Sequence, residues 1–241
     1  MTKASNHWGI ELEGADEDKN VWRTFLKSPF DPYVEEVQED RGNYLTLRST
    51  AFDEAASPKD ARRLGETLIK TLNVAISKHT DADPVSVGAV IEFVSDGQPR
   101  KHRALKAESG EIRIRGGIAE LKVLDYQGNV VEPPPTPSQI QLWMRAAKLD
   151  PRIACVLRYM EGNPGWVELY KAYEALKELP NGGIDKDEIT RFRRTANSAG
   201  RHHPNEKKHP PHPKPMELWE GRAFITQWIS AAIKDILEKN R

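Results

Sequence analysis

Four prolines in the six residues Glu132-Pro-Pro-Pro-Thr-Pro137 limit what this chain can fold into more than any other feature. Each proline ring fixes φ and removes an N–H, so neither a helix interior nor a central strand can run through the stretch. What remains is a stiff, polyproline-like spacer. It divides 241 residues into two pieces of roughly 100 to 130 residues, each long enough to bury a core. The patterns on its two sides differ in kind. The expected organisation is an α+β, β-rich domain over residues 1–132, a Pro-rich hinge over 133–137, and an all-α helical bundle over 138–241.

Before the spacer, alternating and β-branched patterns dominate. Trp8, Ile10 and Leu12 alternate with polar residues, as a half-buried strand does. A short helix is expected over residues 21–26, ending at Ser28-Pro29. Strands over 33–37 and 44–47 flank Asp40-Arg41-Gly42-Asn43, a hairpin turn. Ser57-Pro58 opens a helix with proline at its first position. Leu64, Leu68, Ile69, Leu72 and Ile76 then recur at helical spacing to about residue 78. Residues 85–93 are apolar and β-branched and read as a buried strand. After a turn at Asp96-Gly97, strands are expected near 103–105, 112–114 and 118–124, with a turn or bulge at Gly116-Gly117. That glycine pair lacks the strand–GxGxxG–helix setting of a dinucleotide site.

After the spacer the period changes to that of helices. Ser138 can cap a helix containing Ile140, Trp143, Met144 and Ala147. Asp150-Pro151 starts the next, with Ile153, Val156, Leu157 and Met160 on one face, and Asn163-Pro164-Gly165 breaks it. Trp166, Leu169, Tyr170, Tyr173 and Leu176 form a further stripe, read as core, which ends at Pro180-Asn181-Gly182-Gly183. Asp185 caps a helix with Ile189 and Phe192 facing inward. A loop over 199–213 leads to a last helix from about Pro215, whose apolar face is Phe224, Ile225, Trp228, Ile229, Ala232, Ile233 and Ile236. Together these read as an antiparallel bundle of four or five helices.

Composition narrows the class further. No apolar run approaches the roughly 18 residues of a membrane span, and residues 1–8 lack the apolar stretch of a secretory signal. Cys155, the only cysteine, cannot form an intrachain disulfide and sits among Ile153, Val156 and Leu157, as a buried inert thiol would. These features lead to the expectation of a cytoplasmic protein with no membrane partner. The zero net charge is unevenly divided: residues 138–241 carry 18 Lys and Arg against 13 Asp and Glu, and most of that excess lies in 186–214, where the count is 8 against 3. Local positive charge attracts phosphates.

The basic stretch carries the only residues that suggest chemistry. It runs Arg191-Phe-Arg-Arg-Thr-Ala-Asn-Ser-Ala-Gly-Arg201 and continues to Lys214 through His202, His203, Lys207, Lys208, His209 and His212. Arginine donates paired hydrogen bonds to phosphate, and histidine moves protons near neutral pH. Arg and His on a basic loop are the minimum for metal-free RNA cleavage, in which a base takes the 2′-hydroxyl proton and a cation stabilises the phosphorane. Asn197 can orient either group or end its helix. The four loop histidines match no standard zinc spacing, and the chain has no nucleophile elbow, Walker loop or HExxH helix. No metal and no cofactor is expected.

The helices after the spacer, with Thr195-Ala-Asn197, Arg201-His202, Pro215-Met216 and the final apolar helix, resemble a family of uncharacterised prokaryotic proteins. That family looks like an outlying branch of the HEPN superfamily (higher-eukaryote and prokaryote nucleotide-binding). The Trp8-Gly-Ile-Glu-Leu12 start is similar to β-rich domains that precede HEPN bundles in phage-defence proteins. The resemblance implies a HEPN-like bundle and a metal-independent ribonuclease or defence effector that acts on RNA as a homodimer. It implies catalytic roles for Arg194, Asn197, Arg201 and His202: His202 as general acid/base, Arg201 as phosphate clamp, Arg194 as second cation, Asn197 as orienter. Arg191, Arg193, Lys207 and Lys208 would bind nucleic acid. Active HEPN proteins carry Arg-x4–6-His. Here seven residues separate Arg194 from His202 and Arg201 from His209, while Arg201 and His202 are adjacent. The alternative is a non-catalytic protein-interaction or ligand-sensing scaffold that uses the bundle for dimerisation.

Overall fold

The computed structural model describes residues 7–39, 42–94, 99–103, 135–201 and 212–240, with Gly200 and Arg201 described in their backbone only. The chain divides into two compact units, Met1–Gln141 and Leu142–Arg241. An antiparallel sheet with helices makes up the first, and helices alone the second, so the α+β region is followed by a helical one. No helix among the described residues is long and apolar enough to cross a membrane.

In the first unit, β1 (Trp8–Glu13), β2 (Tyr33–Val37), β3 (Tyr44–Arg48), β4 (Ser86–Glu92) and β5 (Arg100–His102) form one sheet in the order β2-β3-β1-β4-β5. Every pairing is antiparallel. The alternation at Trp8, Ile10 and Leu12 places those side chains in the core, each at most 4% exposed. Ile69, Leu72 and Ile76 of α2 (Pro58–Ser77) are buried as well, and that helix starts as its sequence requires: Ser57 accepts a hydrogen bond from Asp60 N, and Pro58 fills the first turn. The helix lies close on β1, since a Cβ at Gly65 would sit 2.6 Å from Ile10 Cγ1.

One first-unit expectation needs correction, and another is described only in part. A helix over 21–26 is too short: α1 spans Asp16–Phe25, because Asp16, Glu17 and Asp18 complement the positive helix N-terminus and buried Asp18 accepts Asp83 N at 2.9 Å. Of the strand expected near 103–105 only Arg103 is described, and it lies outside a strand, just after β5, which pairs Arg100, Lys101 and His102 with Glu92, Ile91 and Val90; residues 104 and 105 lie outside the described residues. The turns at 40–41 and 96–97, the strands at 112–114 and 118–124, Gly116-Gly117, and Pro133 and Pro134 lie outside the described residues.

Helix α3 (Gln139–Leu149) opens with a reciprocal cap, Ser138 Oγ accepting Gln141 N at 3.2 Å and Gln141 Oε1 accepting Ser138 N at 3.0 Å. The buried Gln141 amide also donates to Lys27 O, Phe30 O and Pro32 O within the first unit. Helices α4 (Pro151–Tyr159), α5 (Trp166–Leu176), α6 (Lys186–Ala196) and α7 (Leu218–Lys239) follow, and Asp150 and Asp185 cap α4 and α6 as expected. The apolar stripes of α5, α6 and α7 converge on an aromatic cluster: Phe192 stacks on Phe224 at 4.7 Å, and Tyr173 meets Phe192 and the Trp228 edge at 5.6 Å each. Gly221 admits Trp166 to this cluster, since a Cβ there would lie 2.7 Å from its ring.

Three second-unit expectations change. Helix α7 begins at Leu218 rather than near Pro215, because Glu217 is extended and the Glu220 side chain returns to Glu217 N in a capping arrangement. The first residues of the expected 199–213 loop, 199–201, instead belong to a π-helical turn, Asn197–Arg201, that prolongs α6. Cys155 is half-buried rather than buried, since Ile153, Val156 and Leu157 take the inward face of α4.

Candidate functional site at the end of helix α6

Helix α6 orders its charges along its axis, with Asp187 and Glu188 in the first turn and Arg193 and Arg194 in the last. Each pair complements the helix dipole at its own end. Phe192, Thr195 and Ala196 are buried on the inward face, which leaves Arg193 and Arg194 exposed. Neither arginine enters an ion pair among the described residues. At the helix end, Asn197 N is held by Arg193 O and Arg194 O. The Asn197 side-chain oxygen is buried and has no hydrogen-bond partner among the described residues. An uncompensated buried carbonyl costs about 1–3 kcal/mol, so this atom is poised to accept a donor.

Arg191 is placed differently. Its Nε donates to Lys214 O at 2.9 Å, and Nη2 donates to Pro215 O at 3.2 Å and to Glu220 at 2.9 and 3.0 Å. One turn on, Thr195 Oγ1 donates to Arg191 O at 2.9 Å and accepts Met216 N at 3.0 Å. The segment 214–216 is thereby fastened along α6. The Glu220 carboxyl sits below its ordinary range, first because it accepts Glu217 N–H and then because Arg191 pairs with it. His212 ends the arrangement: its Nδ1 lies 2.9 Å from Lys214 O and 3.1 Å from Lys214 N.

The structure thus brings Arg191, Arg193, Arg194 and Asn197 onto one helix end, with Arg191 turned to an internal clamp. Arg201 closes the π-helical turn in its backbone, while His202, Lys207 and Lys208 lie outside the described residues. The ten residues 202–211 leave from the end of the α6 continuation and return to Lys214–Met216, which α6 itself holds. Among the described residues, no three His, Cys, Asp or Glu side chains are grouped to hold a metal ion.

Two features escape a reading of the sequence. Trp219, on the first turn of α7, is 68% exposed. Its signal was present: it stands five residues before Phe224, roughly 140° round the helix from that apolar face. The second is a polar network on the sheet face away from α2. There Lys101 Nζ lies 3.4 Å from Glu11, 3.7 Å from Glu39 and 3.2 Å from the Tyr44 ring centre, and Arg48 pairs with Glu35 and covers the Phe93 ring at 3.9 Å. Tyr44 donates to Glu39 at 2.8 Å, and burial, then that carboxylate, push its phenol far above the usual range. Thr46 lies between Glu11 and Glu35 in register, fully buried. Gly9 leaves room for this layer, since a Cβ there would lie 2.5 Å from Thr46 Cγ2.

No family model, no curated protein and no solved structure matches this chain.

Proposed function

We propose that the second unit is an RNA-directed helical module of the HEPN kind. In it Arg193 and Arg194 contact phosphate, Arg201 clamps the reacting phosphate, His202 is the general acid/base, and Asn197 orients the site. One observation carries the reading: exposed Arg193 and Arg194, in no ion pair among the described residues, stand near a buried Asn197 oxygen that has no donor among those residues, at the helix end from which the basic, histidine-rich segment continues. Cations free of protein partners can take phosphate at little desolvation cost. The roles of Arg201 and His202 rest on the sequence resemblance and on the chemistry of metal-free transfer to the 2′-hydroxyl. One copy supplies few catalytic groups, so the active form in this reading is a homodimer.

Metal-free incubation with total RNA in EDTA tests it, beside Arg201→Ala/His202→Ala and Arg193→Ala/Arg194→Ala variants. Cleavage by the wild type and not by the first variant is the expected result. RNA binding that survives in the first variant and weakens in the second, without cleavage by any form, reduces the proposal to a binding module. Absence of binding by the wild type overturns it.

A second reading, a non-catalytic scaffold, draws on the Arg191 clamp. That guanidinium donates to two carbonyls and Glu220, a role that serves folding and leaves it turned away from a ligand. On this reading Arg193→Ala/Arg194→Ala changes the capture of a protein partner and leaves RNA association at background.

A further inference from the structure

We infer that Trp219 is a stacking platform for an unpaired base, which makes the RNA partner single-stranded; the inference rests on the RNA reading above. Of the six tryptophans, Trp8, Trp22, Trp143 and Trp228 are at most 4% exposed and Trp166 packs on Phe192 and Gly221, whereas Trp219 presents 68% of its surface to solvent. A large indole left in water needs an account that a scattered exposed leucine does not. Its place supplies one. Trp219 precedes Glu220, which Arg191 binds, and follows Lys214 by five residues on the stretch that the same arginine fastens to α6.

Two anchors hold this platform in position. The Glu217–Glu220 capping contact sets the first turn of α7, and the Arg191 and Thr195 bonds set the segment before it. An aromatic ring on a fixed backbone stacks a base with little loss of conformational freedom. Charge is arranged to suit. Lys214, Arg193 and Arg194 are exposed, and the two arginines enter no ion pair among the described residues, while Arg191 neutralises Glu220. Glu217 is exposed and opposes phosphate. Stacking tolerates any base but requires that base to be unpaired, so duplex RNA gains nothing from the ring.

The test is fluorescence anisotropy of the full chain with a labelled single-stranded RNA decamer and with its matched duplex, for wild type, Trp219→Ala, Trp219→Phe, Glu217→Gln and Arg193→Ala/Arg194→Ala. The expected result is that Trp219→Ala binds the single strand about tenfold to a hundredfold more weakly, the size of one base–aromatic stack. Trp219→Phe should retain most of the affinity, Glu217→Gln should bind more tightly, and duplex binding should not move with residue 219. Far-UV circular dichroism of Trp219→Ala should match the wild type, because the side chain packs against little. Single-strand binding that depends on Arg193 and Arg194 but not on Trp219 overturns this inference and leaves the RNA reading standing. A wild type that binds neither RNA overturns both.

Discussion

The two units solve the problem of a second surface in opposite ways. In the helical unit α5, α6 and α7 meet through aromatic rings on their apolar sides, and charge is left to the periphery, where Arg191 and Glu220 form a surface clamp. In the sheet unit one face is apolar and packs on α2, while the other is held by partly buried charge: Lys101 between Glu11 and Glu39, Arg48 on Glu35. Apolar packing is non-directional and tolerates small shifts. A network of charges with three or four fixed partners does not, since a removed partner leaves its mates unsatisfied. The sheet unit should therefore be the more sensitive to single polar substitutions, and the helical unit to loss of volume.

The strongest way to sharpen this contrast is Phe192→Ala. It removes a fully buried ring that touches Trp166, Tyr173 and Phe224, and it should cost about 3–5 kcal/mol. Native-state hydrogen exchange should show the loss at amides of α5 to α7, with β1 and β4 amides unchanged. Next is Lys101→Met in the other unit. Two carboxylates and the Tyr44 ring then lose their shared cation, at a cost of about 1–3 kcal/mol confined to the sheet amides. If Lys101→Met proves neutral, the polar face is held by something other than its charges and the contrast fails.

Smaller effects test the clamp. Arg191→Ala should destabilise the helical unit by about 1–2 kcal/mol, and Arg191→Lys should recover little of it, because a single ammonium cannot reproduce the fork that reaches two carbonyls and a carboxylate. The smallest effect is a dependence on pH. The Glu220 carboxyl is held below the unfolded value of about 4.3, so its contribution is complete above that value and is lost as pH falls through the folded one. Urea unfolding of wild type and Glu220→Gln should therefore differ at pH 7 and converge near pH 3. A difference that persists in acid would mean that Glu220 acts through packing rather than charge.

Much of the local structure was legible in the residues. Ser57-Pro58, Ser138, Asp150 and Asp185 cap helices where their chemistry says they should, and the stripe from Phe224 to Ile236 is buried throughout. Element ends were less legible than element interiors. The α1 start was missed because its first turn is all charge and has no capping side chain, and the α7 start was misplaced because Pro215 looks like a first-turn proline but belongs to the extended stretch that Thr195 and Arg191 hold. Of the candidate site, the basic character of α6 was readable, but the separate fate of Arg191 was not: by type it equals Arg193 and Arg194, and only its neighbours distinguish it.

Among the described residues, the sequence by itself determined which segments are helix or strand, apart from their ends, where most helices begin, and which faces are apolar, and its proline run separates two kinds of pattern. These follow from side-chain periodicity and backbone restriction, which act over a few residues. Tertiary structure decided the pairings: the sheet order that brings Lys101 to Glu11, 90 positions away, and the helix packing that brings Arg191 to Glu220, 29 positions away. A charge has no preferred partner until the fold sets its distance and dielectric surroundings. Whether an arginine becomes a clamp or stays exposed is settled only at that stage.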